Sequence, residues 1–279
     1  MQRTWLISGI SSGFGRIMAE QLLARGDRVA GTVREFSSVA ELQQQYPQHL
    51  WVAQLDVSHT ASIRGVVDSA FSALGKIDVV VSNAGYGLFG AAEEATDEQV
   101  LHQLNTNLIG SMQLIRAALP HLRAAGGGRI LQLSTIGGQA VFPGGSLYHA
   151  GKWGIEGFIE ALALEVGVFN IGCTLVEPGS ARTNFRYGGA QLTSRITAYD
   201  ASPAGMARKM LESRTSVPLG DPRKMVAIMI DSVEQQPAPK RIALGSDAFT
   251  VMHQQLSSRL ADLETQKAVA LSTDFAKGE

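Results

Sequence analysis

A chain of 279 residues, 45% hydrophobic and 18% charged, has enough apolar side chains for one large core and too many for a disordered polymer. A formal net charge of -1, with no basic stripe interleaved with aromatics, excludes the electrostatic footprint of a nucleic-acid binder. A single cysteine, Cys173 in the apolar run IGCTLV, allows no intramolecular disulfide and reads as a buried thiol.

Thr4 to Ser8 (TWLIS) reads as a short buried strand, followed by a glycine turn over Gly9 to Gly15. Apolar residues at helical spacing then predict a helix from Phe14 to Arg25, stopped by Gly26-Asp27. A second strand is expected over Arg28 to Val33, a polar helix over Ser37 to Tyr46, a third strand over Trp51 to Leu55 and a helix over Thr60 to Leu74. The run DVVVS, Asp78 to Ser82, is apolar enough for a strand covered on both faces. One long helix is predicted from Asp97 to Arg123 with Thr96 as its N-cap, and another from Ser146 to Phe169. Strands over Arg129 to Ser134 and Ile171 to Val176 flank the second of these. This alternation predicts an α/β fold: a doubly wound, Rossmann-like parallel sheet in a single domain spanning residues 1–279.

Beyond Gly179 the rhythm breaks. Ser180 to Asp200 reads as a polar loop, part of a substrate-binding region over about residues 180–220 and expected to be mobile until ligand binds. Helices over Pro203 to Arg214, Pro222 to Glu234 and Asp247 to Leu263, a closing strand over Arg241 to Leu244 and a tail over Glu264 to Glu279 complete the expectation. The start of the chain lacks a signal-peptide pattern, and no run approaches the roughly 18 apolar residues of a membrane span. A cytoplasmic protein with no membrane partner is therefore expected.

Three groups of residues carry chemistry. The first is S-G-I-S-S-G-F-G, where Gly9, Gly13 and Gly15, with Ser11, Ser12 and Phe14 between them, join a strand to a helix. Glycines permit a tight turn and close backbone approach to a pyrophosphate seated on the helix N-terminus. The second is Asp56-Val57 and Asn83-Ala84-Gly85, each at a strand C-terminus, where an open parallel sheet binds its ligand. Asp56 is either an acceptor for an adenine amine or a cap of the next turn. The third is Tyr148 with Lys152 four residues on, one turn apart on a helix face. An ammonium there favours phenolate and is expected to lower the tyrosine pKa, giving an acid and base useful near neutrality. Ser134, Thr135 and Asn107 complete this group.

These motifs together, SGISSGFG, LDV, SNAG, NLIG, LSTIGG, YHAGK and EPGSART, in this order, resemble the short-chain dehydrogenase/reductase family, in the branch with chains of about this length. The resemblance runs from Thr4 to about Thr183 and includes the closing strand and helix. It implies that Tyr148 is the general acid of carbonyl reduction and the base of alcohol oxidation. It implies that Lys152 lowers the tyrosine pKa and holds the nicotinamide ribose, and that Asn107 binds a water linking Lys152 to solvent. A hydroxyl thirteen residues before the tyrosine would hold the substrate oxygen. That count reaches Thr135, with Ser134 as the alternative. Pro178 and Gly179 would line the cofactor, and the Thr183 hydroxyl would contact the carboxamide. The chain departs from the family at Ser8, usually threonine, and at Gly151, usually serine or threonine. His149 is expected to face away from the chemistry, and no histidine spacing indicates a metal.

An NAD site of this kind needs a carboxylate at the end of the second strand. Val33 stands there, followed by Arg34, with Arg16 after the glycine turn, so NADP (NADPH) is the expected cofactor. The expected substrate is a hydrophobic carbonyl or alcohol, with Phe142, Leu147, Phe185 and Tyr187 as pocket candidates. The long helices are expected to pair copies into a homodimer or homotetramer. Two rivals stand beside this reading: a sugar-nucleotide epimerase or dehydratase, and a non-enzymatic NADP-sensing or scaffold protein on the same fold.

Overall fold

The computed structural model describes residues 2–213 and 217–275, leaving aside the side chains of 186 and 187. The expected helix end at Arg214, the pocket candidate Tyr187 as a side chain, and the last four residues of the tail lie outside the described residues.

Strand β1 (Thr4–Ile7) leads through the glycine turn into α1 (Gly13–Ala24), followed by β2 (Arg28–Val33), α2 (Ala40–Gln45), β3 (Leu50–Gln54) and α3 (Thr60–Leu74). Next come β4 (Val79–Ser82), the short β5 (Gly87–Phe89), α4 (Asp97–Leu104), α5 (Gly110–Ala124) and β6 (Gly128–Leu133). Then α6 (Ser146–Val166), β7 (Ile171–Pro178), β8 (Ala190–Leu192), α7 (Pro203–Ser213) and α8 (Pro222–Asp231) follow. Strand β9 (Arg241–Leu244), α9 (Ser246–Thr265) and α10 (Lys267–Leu271) close the described chain.

Seven strands form one parallel sheet in the order β3-β2-β1-β4-β6-β7-β9. Alternate strand residues feed two cores. Trp5, Ile7, Val79 and Val81 meet Met18 and Leu22 of α1 and Val226 and Met229 of α8 on one face. Leu6, Val80 and Ile130 meet Ile63 and Val67 of α3, Leu114 and Ile115 of α5 and Ile155 of α6 on the other. Covering on both faces is why these strands read as unbroken apolar runs. The chain winds outward from β1 to β3, then returns across to β4. The crevice this reversal opens lies at the C-terminal ends of β1 and β4, where the glycine turn and Asn83 sit.

Four features depart from the sequence expectation. The predicted helix Asp97 to Arg123 is interrupted by a π turn over Asn105–Ile109, with the Gly110 amide bonding back to the Asn105 carbonyl. Its start is as expected: Thr96 and Gln99 form a reciprocal capping box at 3.3 and 3.0 Å. Second, the Ser180 to Asp200 loop contains β8, which pairs in parallel with β5 as a separate two-stranded sheet. Third, Glu94 ties the second half of that loop down. Its carboxylate accepts from Arg208 at 2.6 Å, from Thr193 Oγ1 at 3.1 Å and from the Ile196 amide at 2.9 Å. Within residues 190–200 a buried ion pair and a strand pairing therefore tie the expected loop to the rest of the domain. Fourth, the tail expected from Glu264 continues α9 and then forms α10. Among the described residues, no helix is long and apolar enough to cross a membrane.

Candidate active site

The glycine turn takes its shape from backbone demands. Gly9 and Gly13 have φ of 76° and 58°, the left-handed region that a Cβ disfavours. Gly15 is needed for space, since a Cβ there would overlap the Gly9 carbonyl and the Asn83 amide. Ser12 precedes α1 without a side-chain cap, which leaves the first amides of a 12-residue helix unclaimed. A Cβ on Gly13 would meet nothing closer than Thr183 Cβ at 3.9 Å, so the mouth of the turn is open. An open glycine cradle over uncapped donors fits a pyrophosphate.

Asn83 braces this cradle from β4. Its Nδ2 donates to the carbonyls of Ser8 and Gly9 at 2.8 and 2.9 Å. The amides of Asn83 and Ala84 donate in turn to Ser8 Oγ at 2.9 and 3.0 Å. The departure at Ser8 thus keeps the one atom this brace uses. Asp56 caps its own turn, accepting from the Ser58 amide and hydroxyl at 2.9 and 2.7 Å. Burial pushes its carboxyl up, but the Ser58 bonds outweigh that and hold it below the usual carboxylate range. Val57 is buried, with its carbonyl against Gly110.

Arg34 is exposed at the end of β2 and makes no ion pair among the described residues. Arg16 bridges Glu20 at 2.6 Å and the Ser38 carbonyl at 3.2 Å, which turns its guanidinium toward the segment after β2. Val33 is only 2% exposed and belongs to the core.

The catalytic candidates converge at the C-terminal ends of β6 and β7 and the first turns of α6. Tyr148 is buried among aromatic rings, 5.4 Å from Phe89 and 6.0 Å from Phe185 between centroids, with Phe142 6.2 Å beyond Phe89. Lys152 Nζ lies 6.0 Å from the Tyr148 ring centroid and donates to the Leu133 carbonyl at 2.8 Å. The expectation of a lowered tyrosine pKa is corrected. Burial pushes the phenol up to about 12, and the only opposing influence is a hydrogen bond with Thr135. Desolvation prevails because the ammonium is turned toward a backbone carbonyl and is itself pushed down to about 8 by burial, against the pull of Glu156.

Ser134 and Thr135 have different neighbours. Thr135 bonds Tyr148 and reaches the Pro178 carbonyl at 3.4 Å. Ser134 is turned the other way, donating to Glu156. Asn107 sits in the π turn, 1% exposed, with both ends of its amide on the Tyr86 backbone at 3.0 and 2.6 Å. That locks the segment after Gly85 to the helix, with one N–H and one lone pair of the amide not engaged by Tyr86. Gly151 packs on Asn107, where a Cβ would stand 3.4 Å from Asn107 Cβ. Gly179 leaves room for Asp247, which accepts from the Ser180 amide and hydroxyl at 2.7 and 2.6 Å. Thr183 Oγ1 accepts from the Phe185 amide at 3.3 Å. His149 is fixed by Nδ1 to the Gly137 carbonyl at 2.8 Å and by Nε2 to the Phe142 amide at 3.1 Å. Burial lowers its pKa and keeps the ring neutral.

Sequence reading missed several parts of this site. Phe89 lies on the three-residue β5, too short to leave a pattern. Gln132 donates to the same Leu133 carbonyl as Lys152, and its Oε1 is buried without a partner. Glu156, Glu177 and Arg241 form a buried cluster below Ser134. Nothing in the sequence marks them as a cluster, because only long-range packing brings them together. Among the described residues, no group of three His, Cys, Asp or Glu side chains is placed to hold a metal.

Comparison with known proteins gives a consistent answer. A family described as short chain dehydrogenase matches residues 3–191. Oxidoreductase BOA17 of Botryotinia fuckeliana is 32% identical over 249 residues, covering 89% of this chain and 90% of that protein. A 3-ketodihydrosphingosine reductase of Bacteroides thetaiotaomicron is 41% identical over 181 residues, 64% of each chain. A crystal structure of a short-chain dehydrogenase from Streptomyces avermitilis superposes with a TM-score of 0.91, at 36% identity and 99% coverage of both chains. More distant structures share the fold at TM-scores of 0.71 and 0.80. One is a Thermococcus sibiricus alcohol dehydrogenase with 5-hydroxy-NADP and the other a Burkholderia phymatum short chain dehydrogenase/reductase with NAD, at 22% and 19% identity and 88% and 95% coverage of this chain.

Proposed function

Because the chain belongs to the short-chain dehydrogenase family, we propose that it is an NADP(H)-dependent oxidoreductase interconverting an alcohol and a ketone or aldehyde, with Tyr148 handling the proton. The observation that carries this reading is a buried phenol, bonded by Thr135, with Lys152 one helical turn away. The open glycine cradle and the first amides of α1 would hold the cofactor pyrophosphate. Asp56, Val57 and Asn83 to Gly85 would flank its adenosine half, and Pro178, Gly179 and Thr183 its nicotinamide end. When bound, the cofactor supplies or accepts the hydride. Thr135 donates a hydrogen bond to the substrate oxygen, and Tyr148 gives that oxygen its proton. A phenol near 12 holds its proton at neutral pH and is loaded for carbonyl reduction. In the oxidative direction the Thr135 hydrogen bond is the influence that favours phenolate against burial. The π turn holds Asn107 against Gly151 of α6, where it would bind a water linking Lys152 to solvent.

Phe89, Phe142 and Phe185 around Tyr148 favour an apolar carbonyl substrate, of steroid-, retinoid- or polyketide-like character. A relative named for a long-chain ketone, 3-ketodihydrosphingosine, points the same way. Exposed Leu101 on α4, Leu164 near the end of α6 and Val168 in the turn after it support pairing of copies through these helices. The non-enzymatic alternative is disfavoured by the retention of both Tyr148 and Lys152. The direct test follows the near-ultraviolet absorbance of NADPH while a panel of apolar carbonyls is offered. No oxidation with any of them, in a folded protein that binds NADPH, would return the scaffold reading.

Two substitutions separate the hydroxyl candidates. Thr135→Ala is expected to lower kcat by about 10²-fold, the scale of losing one donor to a developing oxyanion. Ser134→Ala should cost chiefly stability, because its hydroxyl serves Glu156. Steady-state kinetics with paired thermal melts would decide; a larger kcat loss in the Ser134 variant reverses the assignment.

Cofactor choice rests on Arg34. A hydrogen bond to a charged group contributes roughly 1.5–3 kcal/mol, so an Arg34 contact to the 2′-phosphate implies about 10- to 100-fold preference for NADP over NAD. Val33 is core, so installing a carboxylate there would bury a charge; Arg34→Ala alone is the cleaner variant. Fluorescence titration of both cofactors at low salt should show the preference collapse in that variant. Equal wild-type affinities for NAD and NADP would defeat the assignment.

A further inference from the structure

The side chain of His149, in the first turn of α6, reaches back over the loop that follows β6. Its two ring nitrogens play opposite parts. Nδ1 donates to the Gly137 carbonyl at 2.8 Å, and Nε2 accepts from the Phe142 amide at 3.1 Å. One donor and one acceptor make a neutral imidazole with both nitrogens satisfied. The ring is buried and meets the Phe142 ring edge-on, 4.3 Å between centroids. Two glycines seat it. A Cβ on Gly137 would stand 3.0 Å from Nδ1, and one on Gly145 2.8 Å from Nε2. Neither glycine has a positive φ, so what they supply is room for the ring.

The Phe142 turn depends on this imidazole. Among the described residues, residues 141–143 make one hydrogen bond, from the Phe142 amide, and His149 is its acceptor. The turn is otherwise apolar and open to solvent, with Val141 61% and Phe142 43% exposed. The loop is fastened separately beyond it, by the Gly90 amide to the Gly144 carbonyl at 2.8 Å. The Phe142 ring lies 6.2 Å from Phe89, and Phe89 lies 5.4 Å from Tyr148.

We propose that His149 is a positioning residue for substrate selection: it straps the loop after β6 so that Phe142 stands as the outer wall of the pocket and grips bulky apolar carbonyls. The proposal rests on the reading of Tyr148 as the reacting centre. His149 acts through Phe142 and not on the substrate oxygen, since the backbone engages both of its ring nitrogens. A ring that merely filled space could be replaced by any side chain of similar volume. A strap needs an acceptor at the position of Nε2. Asparagine carries its amide at about the place of Nδ1, and glutamine carries its own one bond further, at about the place of Nε2. His149→Asn therefore loses the Phe142 bond, and His149→Gln keeps it.

The experiment titrates each variant with prodan, a fluorescent naphthyl ketone, with no cofactor added. Phe142→Ala is expected to weaken binding by about tenfold, the scale of one aromatic contact, and His149→Asn by as much, while His149→Gln stays within about twofold of the wild type. The double variant of His149→Asn with Phe142→Ala should bind no worse than either alone, because both changes remove the same wall. Equal losses in His149→Asn and His149→Gln, additive losses in the double variant, or unchanged binding in Phe142→Ala overturns the proposal. If His149→Asn does not fold, Gly145→Ala takes its place. Its Cβ would crowd Nε2 and the Phe142 ring together, so the same weakening is expected, and undiminished binding overturns the proposal. The titration needs no turnover, so a negative result leaves the dehydrogenase reading standing. A protein that oxidises NADPH with no carbonyl would lose that reading and still be judged here on binding.

Discussion

Replacing Tyr148 with phenylalanine is expected to lower kcat by at least about 10²-fold while leaving cofactor affinity nearly unchanged. The ring fills the same space between Phe89 and Phe185, so the pocket keeps its shape. What is lost is the transferable proton, and general acid catalysis by a positioned group contributes roughly 10²–10⁴-fold. The residual rate should no longer show the ionisation of the phenol in its pH profile. Stopped-flow turnover and fluorescence titration of NADPH on the same preparation measure both quantities. A phenylalanine variant with near-normal turnover would remove Tyr148 from the mechanism. A variant that also failed to bind cofactor would mean the side chain serves binding as well.

The second large effect is expected from Arg208→Met. Arg208 and Glu94 form a nearly solvent-free ion pair joining α7 to the turn after β5, with Thr193 Oγ1 and the Ala91 and Ile196 amides also on the carboxylate. Removing one partner of a buried pair costs roughly 3–5 kcal/mol, because the other charge is left behind. The remaining donors to Glu94 favour the lower end of that range. The loss should appear locally, as release of residues 190–202, before it appears as global unfolding. Limited proteolysis would show new cuts in that stretch, and the wild type should resist there even without ligand. Acid should mimic the substitution. Burial pushes the Glu94 carboxyl up, but the hydrogen bonds from Ile196, Arg208, Ala91 and Thr193 outweigh it and hold it at about 2, against an ordinary 4.5. Its stabilisation is therefore complete above the ordinary value and is lost as pH falls toward 2. Unchanged cleavage in Arg208→Met would mean that the strand pairing alone holds the loop.

The sheet was legible in the sequence because strands covered on both faces cannot hide: VVVS is buried at every position, and its neighbours TWLI and GRILQL are mostly apolar. Tyr148, Lys152 and the glycine turn were legible because their spacing is local. Strands β5 and β8 were not, since three residues each carry too little alternation to separate from loop. The π turn was invisible for a related reason: α4 and α5 each keep a helical period, and the slip between them is one residue. The charge cluster beneath Ser134 was hidden differently. Glu156 follows Lys152 at the spacing of an ordinary surface ion pair, and only the arrival of Arg241, from a strand 85 residues away, makes it interior. The raised tyrosine pKa belongs to the same class. Proximity of a cation is written in the sequence, but the burial that overrules it is a property of the assembled pocket.

The π turn has a consequence for which mutations the gene can tolerate. A π turn is one residue more than an α-helix needs, and each residue rotates a helix by about 100°. Losing a single codon between Asn105 and Ile109 would let the helix run on as regular α, with its hydrogen bonds intact and its composition hardly altered. The wide turn takes up its extra residue, so α5 would keep Leu114, Ile115 and Leu122, all fully buried, on the face that meets the sheet. What would go is the bulge that holds Asn107 against Tyr86. A deletion that spares the core would there remove a support of the site.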